Sequence, residues 1–140
     1  MDGLLDQYPP NRVQALGVVS NAGESFAAAL ASARERGVRM TLVHDENGQV
    51  AETLEARSTP TVVLLDRQGR RRFLGWFDNE RLPGDPQREP WLEWALNSLL
   101  SGNEHFSALQ PVYGCRITRA LFQTPQDSCC QSEPWNKEIP

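Results

Sequence analysis

The sequence predicts an α/β sandwich built on a mixed sheet, and three observations carry that prediction. Apolar, strand-like runs alternate with helix-like segments from residue 12 to residue 57, the order that builds parallel strands with crossover helices. "TVVLLD" (61–66) turns at "RQGR" into "RRFLGWF" (71–77), which reads as an antiparallel hairpin. "WLEWALNSLL" (91–100) then repeats apolar residues at helical spacing and supplies a closing helix.

Each element follows from its residues. "MDGLLDQYPPN" (1–11) sets Leu4 and Leu5 before Pro9 and Pro10, which stop any helix, so the stretch reads as the tail of one. "RVQALGVVS" (12–20) is a short valine-containing run suited to a buried parallel strand. Ser20 or Asn21 would cap a helix running to Arg36, with Gly37 ending it. Phe26, Leu30 and Ala33 fall on one face of it, beside Ala22 and Ala29. "VRMTLVHD" (38–45) predicts a second strand, and "NGQVAETLEAR" (47–57) a short helix turning Val50, Ala51 and Leu54 inward. The unbroken apolar run of 61–66 predicts burial on both faces. Gly69 supplies the turn, and 71–77 alternates like the edge strand of the hairpin. After a loop over 79–89, Asp85-Pro86 or Glu89-Pro90 opens the last helix, which runs to Leu100 and is closed by Gly102. Its buried face would be Leu92, Ala95, Leu96 and Leu99, flanked by Trp91 and Trp94. Residues 103–140 are polar, proline-dotted and aperiodic. The expected organisation is one domain over 1–102 and an irregular extension over 103–140, with one extended piece at "PVYGCRIT" (111–118).

At 140 residues, 39% of them apolar, the chain is long enough to bury one core. A net charge of −4 argues against a nucleic-acid partner, which needs a concentrated basic face. The basic cluster Arg67, Arg70, Arg71 and Arg72 surrounds a turn and reads as solvated rather than as an anion site. No run approaches the roughly 18–20 apolar residues that span a bilayer, and no basic-then-apolar leader opens the chain. At face value it is a soluble, cytosolic sequence with no membrane partner. Cys115, Cys129 and Cys130 all fall in the last 26 residues, an odd count with an adjacent pair and therefore no disulfide framework. His44 and His105 stand alone, so neither a zinc site nor any other cofactor is expected. In "HDE" (44–46), a helix cap accounts for Asp45 better than a metal or an acid–base pair. Glu104-His105 follows a helix stop without a partner, and Trp76, Phe77, Trp91 and Trp94 read as core and rim aromatics.

From Ser58-Thr59-Pro60 onward, the order of elements resembles the thioredoxin-like redoxins, which include thiol–disulfide oxidoreductases and peroxiredoxins. "RVQALGVVSNAGESFAAALASARERGVRMTLVHDENGQVAETLEARSTPTVVLLDRQGRRRFLGWFD" matches such a protein from its second strand in residue order and segment length. "WLEWALNSLLSG" followed by "LQPVYGCRIT" resembles a bacterial subgroup that closes with a helix and a Gly-Cys pair, here Gly114-Cys115 with Ile117 beyond. The resemblance covers roughly residues 4–120. It implies a thioredoxin-like mixed-sheet sandwich in which Pro60 is cis and, with Thr59, forms a backbone edge facing an extended, thiol-bearing substrate. The implied partner is a thiol or disulfide protein or peptide. The implied activity is thiol–disulfide exchange or peroxide reduction.

The departures from that family bear on the activity. Redoxins begin with a strand and a cysteine-containing loop at a helix N-terminus, where the thiolate is favoured. Before Cys115 this chain has no cysteine, so as it stands it is expected to lack turnover. The fold then reads as N-terminally truncated; many redoxins of this kind are exported, and a truncated start would have removed the export signal from this chain. The missing strand would sit mid-sheet, between 12–20 and 61–66. Three arrangements would resolve the gap: a fragment of a longer protein, direct pairing of the two flanking strands, or a strand supplied by 112–118 or by a partner chain. Cys115 is the candidate catalytic thiol, as a resolving or substrate-contacting sulfur. The weightier reading of it is a buried cysteine packing as a small hydrophobe. Cys129 and Cys130 read as incidental thiols of a polar tail. The competing function is a non-catalytic binding module that uses the Thr59-Pro60 groove.

Overall fold

The computed structural model of the chain describes residues 2–80, 84–103, 108–112 and 114–118. They form a mixed α/β fold in the order α1 (Asp2–Leu5), β1 (Leu16–Val19), α2 (Phe26–Glu35), β2 (Thr41–His44), α3 (Gln49–Thr53), β3 (Ser58–Thr59), β4 (Val62–Leu65), β5 (Arg71–Gly75), α4 (Trp91–Leu100), β6 (Ala108–Leu109) and β7 (Cys115–Arg116). The strands make three small ladders: β1 with β2 in parallel, β3 with β7 antiparallel, and β4-β5-β6.

The hairpin is the anchor of the molecule. Val62 lies opposite Gly75 and Leu64 opposite Phe73. At the turn, Asp66 Oδ1 accepts from the Gln68 and Arg70 N–H groups at 2.9 Å, and Oδ2 from Arg70 Nε at 2.7 Å. Arg71 reaches Glu55 Oε2 at 2.6 Å, and Arg72, its side chain only 12% exposed, lies 3.9 Å from Asp66. Arg67, Arg70 and Arg71 are exposed, as a solvated turn has them, while Arg70, Arg71 and Arg72 also lie beside carboxylates and Arg72 alone is largely covered. β5 is not an edge strand either. β6 pairs in parallel on its far side, Phe73 opposite Ala108. Glycine at position 75 makes room, since a Cβ there would come within 2.6 Å of Gln110 Cβ.

α4 covers this sheet. It begins after Pro90, so Glu89-Pro90 is the opening that forms, and it buries Leu92, Ala95 and Leu96 against Phe73. Leu4, Tyr8 and Val13 pack onto the same cluster, and the Tyr8 hydroxyl donates to Asn97 Oδ1 at 3.0 Å. The N-terminal segment thus clamps the start of β1 to the closing helix.

The β1–β2 half is looser. α2 starts at Phe26 with Ser25 as its cap, later than Ser20 or Asn21, because Asn21 and Glu24 close a turn of their own. Phe26, Leu30 and Ala33 do share an inward face, yet none is fully buried. In α3, Ala51 is buried but Val50 is 41% exposed, against expectation. Burial of 61–66 on both faces does not hold: Leu65 is 42% exposed. Among the described residues β1 pairs only with β2, and β4 only with β5. Direct pairing of the two flanking strands is therefore absent, and Leu16 is left 64% exposed.

Candidate functional site

The Thr59-Pro60 peptide bond is cis, and the residues before it form the short strand β3. β7 runs antiparallel along that strand, with Ser58 opposite Arg116 and Thr59 opposite Cys115. The Ile117 N–H extends the ladder by donating to the Arg57 carbonyl at 2.9 Å. Thr59, Pro60 and Cys115 are all exposed, and Cys115 is a free thiol. The buried-cysteine reading is thus corrected. Within the extended piece that the sequence predicts at 111–118, Cys115–Arg116 forms a strand, Tyr113 lies outside the described residues, and the pairing partner was not legible in the sequence.

The approach at this edge is close because of Gly114. Its φ is +151°, and a Cβ would lie 2.1 Å from the Thr59 carbonyl oxygen and 3.5 Å from Pro60 Cδ. A side chain at 114 would push β7 off the edge. At its far end the strand is tied to the loop after β1. The Ala22 N–H donates to the Thr118 carbonyl at 2.8 Å. The Thr118 N–H donates to Asn21 Oδ1 at 3.3 Å, and its hydroxyl to the Ala22 carbonyl at 3.4 Å. The extension does contribute a strand, but not the mid-sheet one that the third arrangement called for. It lies between Arg57–Ser58–Thr59 and Asn21–Ala22, beyond the ends of β1 and β4 rather than between them. Asn21, Ala22 and Arg57 are site residues that sequence reasoning missed, because they contribute through backbone groups and an amide with no chemical signature.

Close by, β2 ends in His44, whose ring stacks on Phe26 at 5.1 Å between centroids and 10° between planes. Asp45, 6% exposed, accepts from the Val50 and Ala51 N–H groups at 3.1 and 2.9 Å. Burial acts to raise its carboxyl pKa, but those N–H groups, the Ser20 hydroxyl and the Gln49 N–H outweigh it and hold the value below the usual carboxylate range. Asp45 thus caps the first N–H groups of α3 with its side chain, as the sequence suggested, although the N-cap position itself is Gly48. Among the described residues no group of three or more His, Cys, Asp or Glu is placed to hold a metal ion. An open cleft of about 530 Å³ lies at the opposite end of β1 and β2, walled by Leu5, Val13, Leu16 and Met40, with the Arg39–Asp6 ion pair at 2.5 Å beside it. It is remote from Thr59 in the fold. Glu104, His105, Cys129 and Cys130 lie outside the described residues.

No protein-family model matches the chain, and no curated protein matches it. Solved structures do. An uncharacterised conserved protein from Geobacillus kaustophilus is 26% identical, with a TM-score of 0.68 over 83% of this chain. A hypothetical protein from Sinorhizobium meliloti is 25% identical, with a TM-score of 0.64 over 76% of this chain. The chain spans 65% and 61% of the lengths of those two structures.

Proposed function

We propose that this chain is a thioredoxin-like, redoxin-type module that engages a cysteine-bearing polypeptide along the Thr59-Pro60 edge, in thiol–disulfide exchange or peroxide reduction, and that as it stands it does not turn over. One observation carries the reading: the backbone of 57–59 accepts an antiparallel strand and sets an exposed thiol opposite Thr59. Strand addition of this kind supplies affinity through main-chain hydrogen bonds while leaving the side chains to choose the partner.

Cys115 sets what chemistry is accessible. Its thiolate can attack one sulfur of a partner's disulfide, forming a new S–S bond while the partner's second sulfur leaves as thiolate. Resolving that mixed disulfide takes a second thiol, and Cys115 is the one cysteine among the described residues. The expectation is a single stoichiometric event rather than catalysis. Among the described residues β1 and β4 each pair on one side only, and a partner chain could add a strand at those edges. No helix among the described residues is long and apolar enough to cross a membrane.

Reduction of insulin disulfides by dithiothreitol, followed by turbidity, tests the reading. Expected is no acceleration over dithiothreitol alone, with Cys115→Ser indistinguishable from wild type. Acceleration that disappears in Cys115→Ser would make the chain a working oxidoreductase and overturn the proposal of a non-turning module.

A further inference from the structure

Residues 114–118 occupy the very edge to which the function above assigns the partner. We infer that this strand is an internal stand-in for that partner, a strap that must peel away before an extended polypeptide can dock, and that its residues report what the edge selects. The inference rests on the docking role of the Thr59-Pro60 edge and adds a regulatory device to it.

Three features carry it. First, the hydrogen-bonding groups that a docking strand would use are already taken: the Arg57 carbonyl accepts from Ile117 at 2.9 Å, and Ser58 and Thr59 are in register with Arg116 and Cys115. A partner cannot add to that edge while β7 holds it. Second, the strap is held by hydrogen bonds rather than by packing: main-chain bonds to Arg57 and Ala22, and two that use the Asn21 and Thr118 side chains. Gly114, Cys115, Arg116 and Thr118 are exposed and Ile117 is only half-buried, so little apolar surface opposes its release. Segments of that kind open at low free-energy cost relative to the whole fold. Third, the fit is selective at one position. A Cβ at residue 114 would meet the Thr59 oxygen at 2.1 Å and its carbonyl carbon at 2.9 Å, so a ligand taking the strap's place needs glycine there. The preferred partner is therefore an extended segment reading Gly-Cys, then a freely variable exposed residue, then an apolar one.

Being tethered, the strap competes at an effective concentration on the order of millimolar, so a free peptide at micromolar concentration is excluded until the strap is loosened. Two independent variants of the full chain loosen it. Gly114→Val acts at the close contact with Thr59. Asn21→Ala combined with Thr118→Ala removes the side-chain ties at the far end while leaving that contact intact. The probe is a fluorescent nonapeptide with the sequence of residues 110–118 and serine in place of cysteine, so that no disulfide can form; binding is read by anisotropy. Hydrogen exchange at Phe73 and Leu96 verifies the core in each variant.

Expected is binding at least tenfold tighter to either folded variant than to wild type, lost when the peptide carries valine in place of its glycine. Equal affinity for wild type and the variants would overturn the strap. So would absence of binding to a folded, loosened variant, or indifference to the glycine. The two readings fail separately. If the loosened variants bind the peptide but no cysteine-bearing polypeptide, the strap stands and the thiol function falls. If such a polypeptide shifts the Ser58 and Thr59 amides of wild type and variants at the same concentration, the docking edge stands and the strap falls.

Discussion

Asp45 joins a strand end to a helix start through one carboxylate. It receives two helix N–H groups, and these favour its charged form in the folded state and hold its pKa below the usual carboxylate range. The sign follows. The contribution is complete above the unfolded carboxyl value, near 4, and is lost as pH falls through the lower folded value. Asp45→Ala is expected to cost about 1 kcal/mol at pH 7, the usual worth of a helix cap, and progressively less below pH 4; urea melts at pH 7 and pH 3 measure the difference. Cys115 gives the second residue-scale prediction. In a Cys129→Ser/Cys130→Ser background, the exposed thiol should be labelled by a thiol reagent in the native protein with no denaturant, and a native thiol that reacts only on unfolding would contradict its placement on β7. Both residues were visible in the sequence, Asp45 with its role and Cys115 without its setting. A cap is a local device, read from neighbours in the chain. The pairing of Cys115 with Thr59 spans fifty-six positions and has no local signal.

At the scale of elements, the two halves of the fold differ in how much they bury. α4 sets Leu92, Ala95 and Leu96 against Phe73, which is 1% exposed, whereas no residue of α2 is fully buried. Leu96→Ala should therefore cost about 2–5 kcal/mol, as large-to-small changes in a packed core do. Leu30→Ala, at a half-buried site, should cost about 1 kcal/mol. Paired chemical-denaturation curves at pH 7 test the contrast, and equal costs would place a second packed core under α2. The long elements were legible because an apolar run or a 3.6-residue spacing fixes them locally. β6 was not, since two residues carry no period, and β7 was legible only as an extended piece without a partner; what makes them strands is the backbone of β5 and β3 beside them. The same effect misassigned β5 as an edge: alternation shows that a strand has two faces but not how many neighbours it has.

For the whole molecule, the fold is a well-packed hairpin-and-helix half joined to a looser parallel pair by two ties. One is the N-terminal segment, with Tyr8 on Asn97 and Val13 against the core. The other is the strap, which reaches from Arg57 to Ala22. The chain is similar to two longer bacterial structures over 83% and 76% of its length, and among the described residues β1 and β4 each pair on one side only, which leaves backbone groups on the other side without a strand partner. Two candidate surfaces compete within it: the exposed thiol edge at Thr59 and the cleft at the opposite end of β1 and β2. Amide spectra of the full chain titrated to millimolar concentration with an extended, cysteine-containing peptide decide between them. The account expects shifts at Ser58, Thr59, Ile117 and Thr118 as the peptide takes the edge, with Leu16, Met40 and Thr41 unmoved. Shifts confined to Leu16, Met40 and Thr41, or none at that concentration, would contradict it.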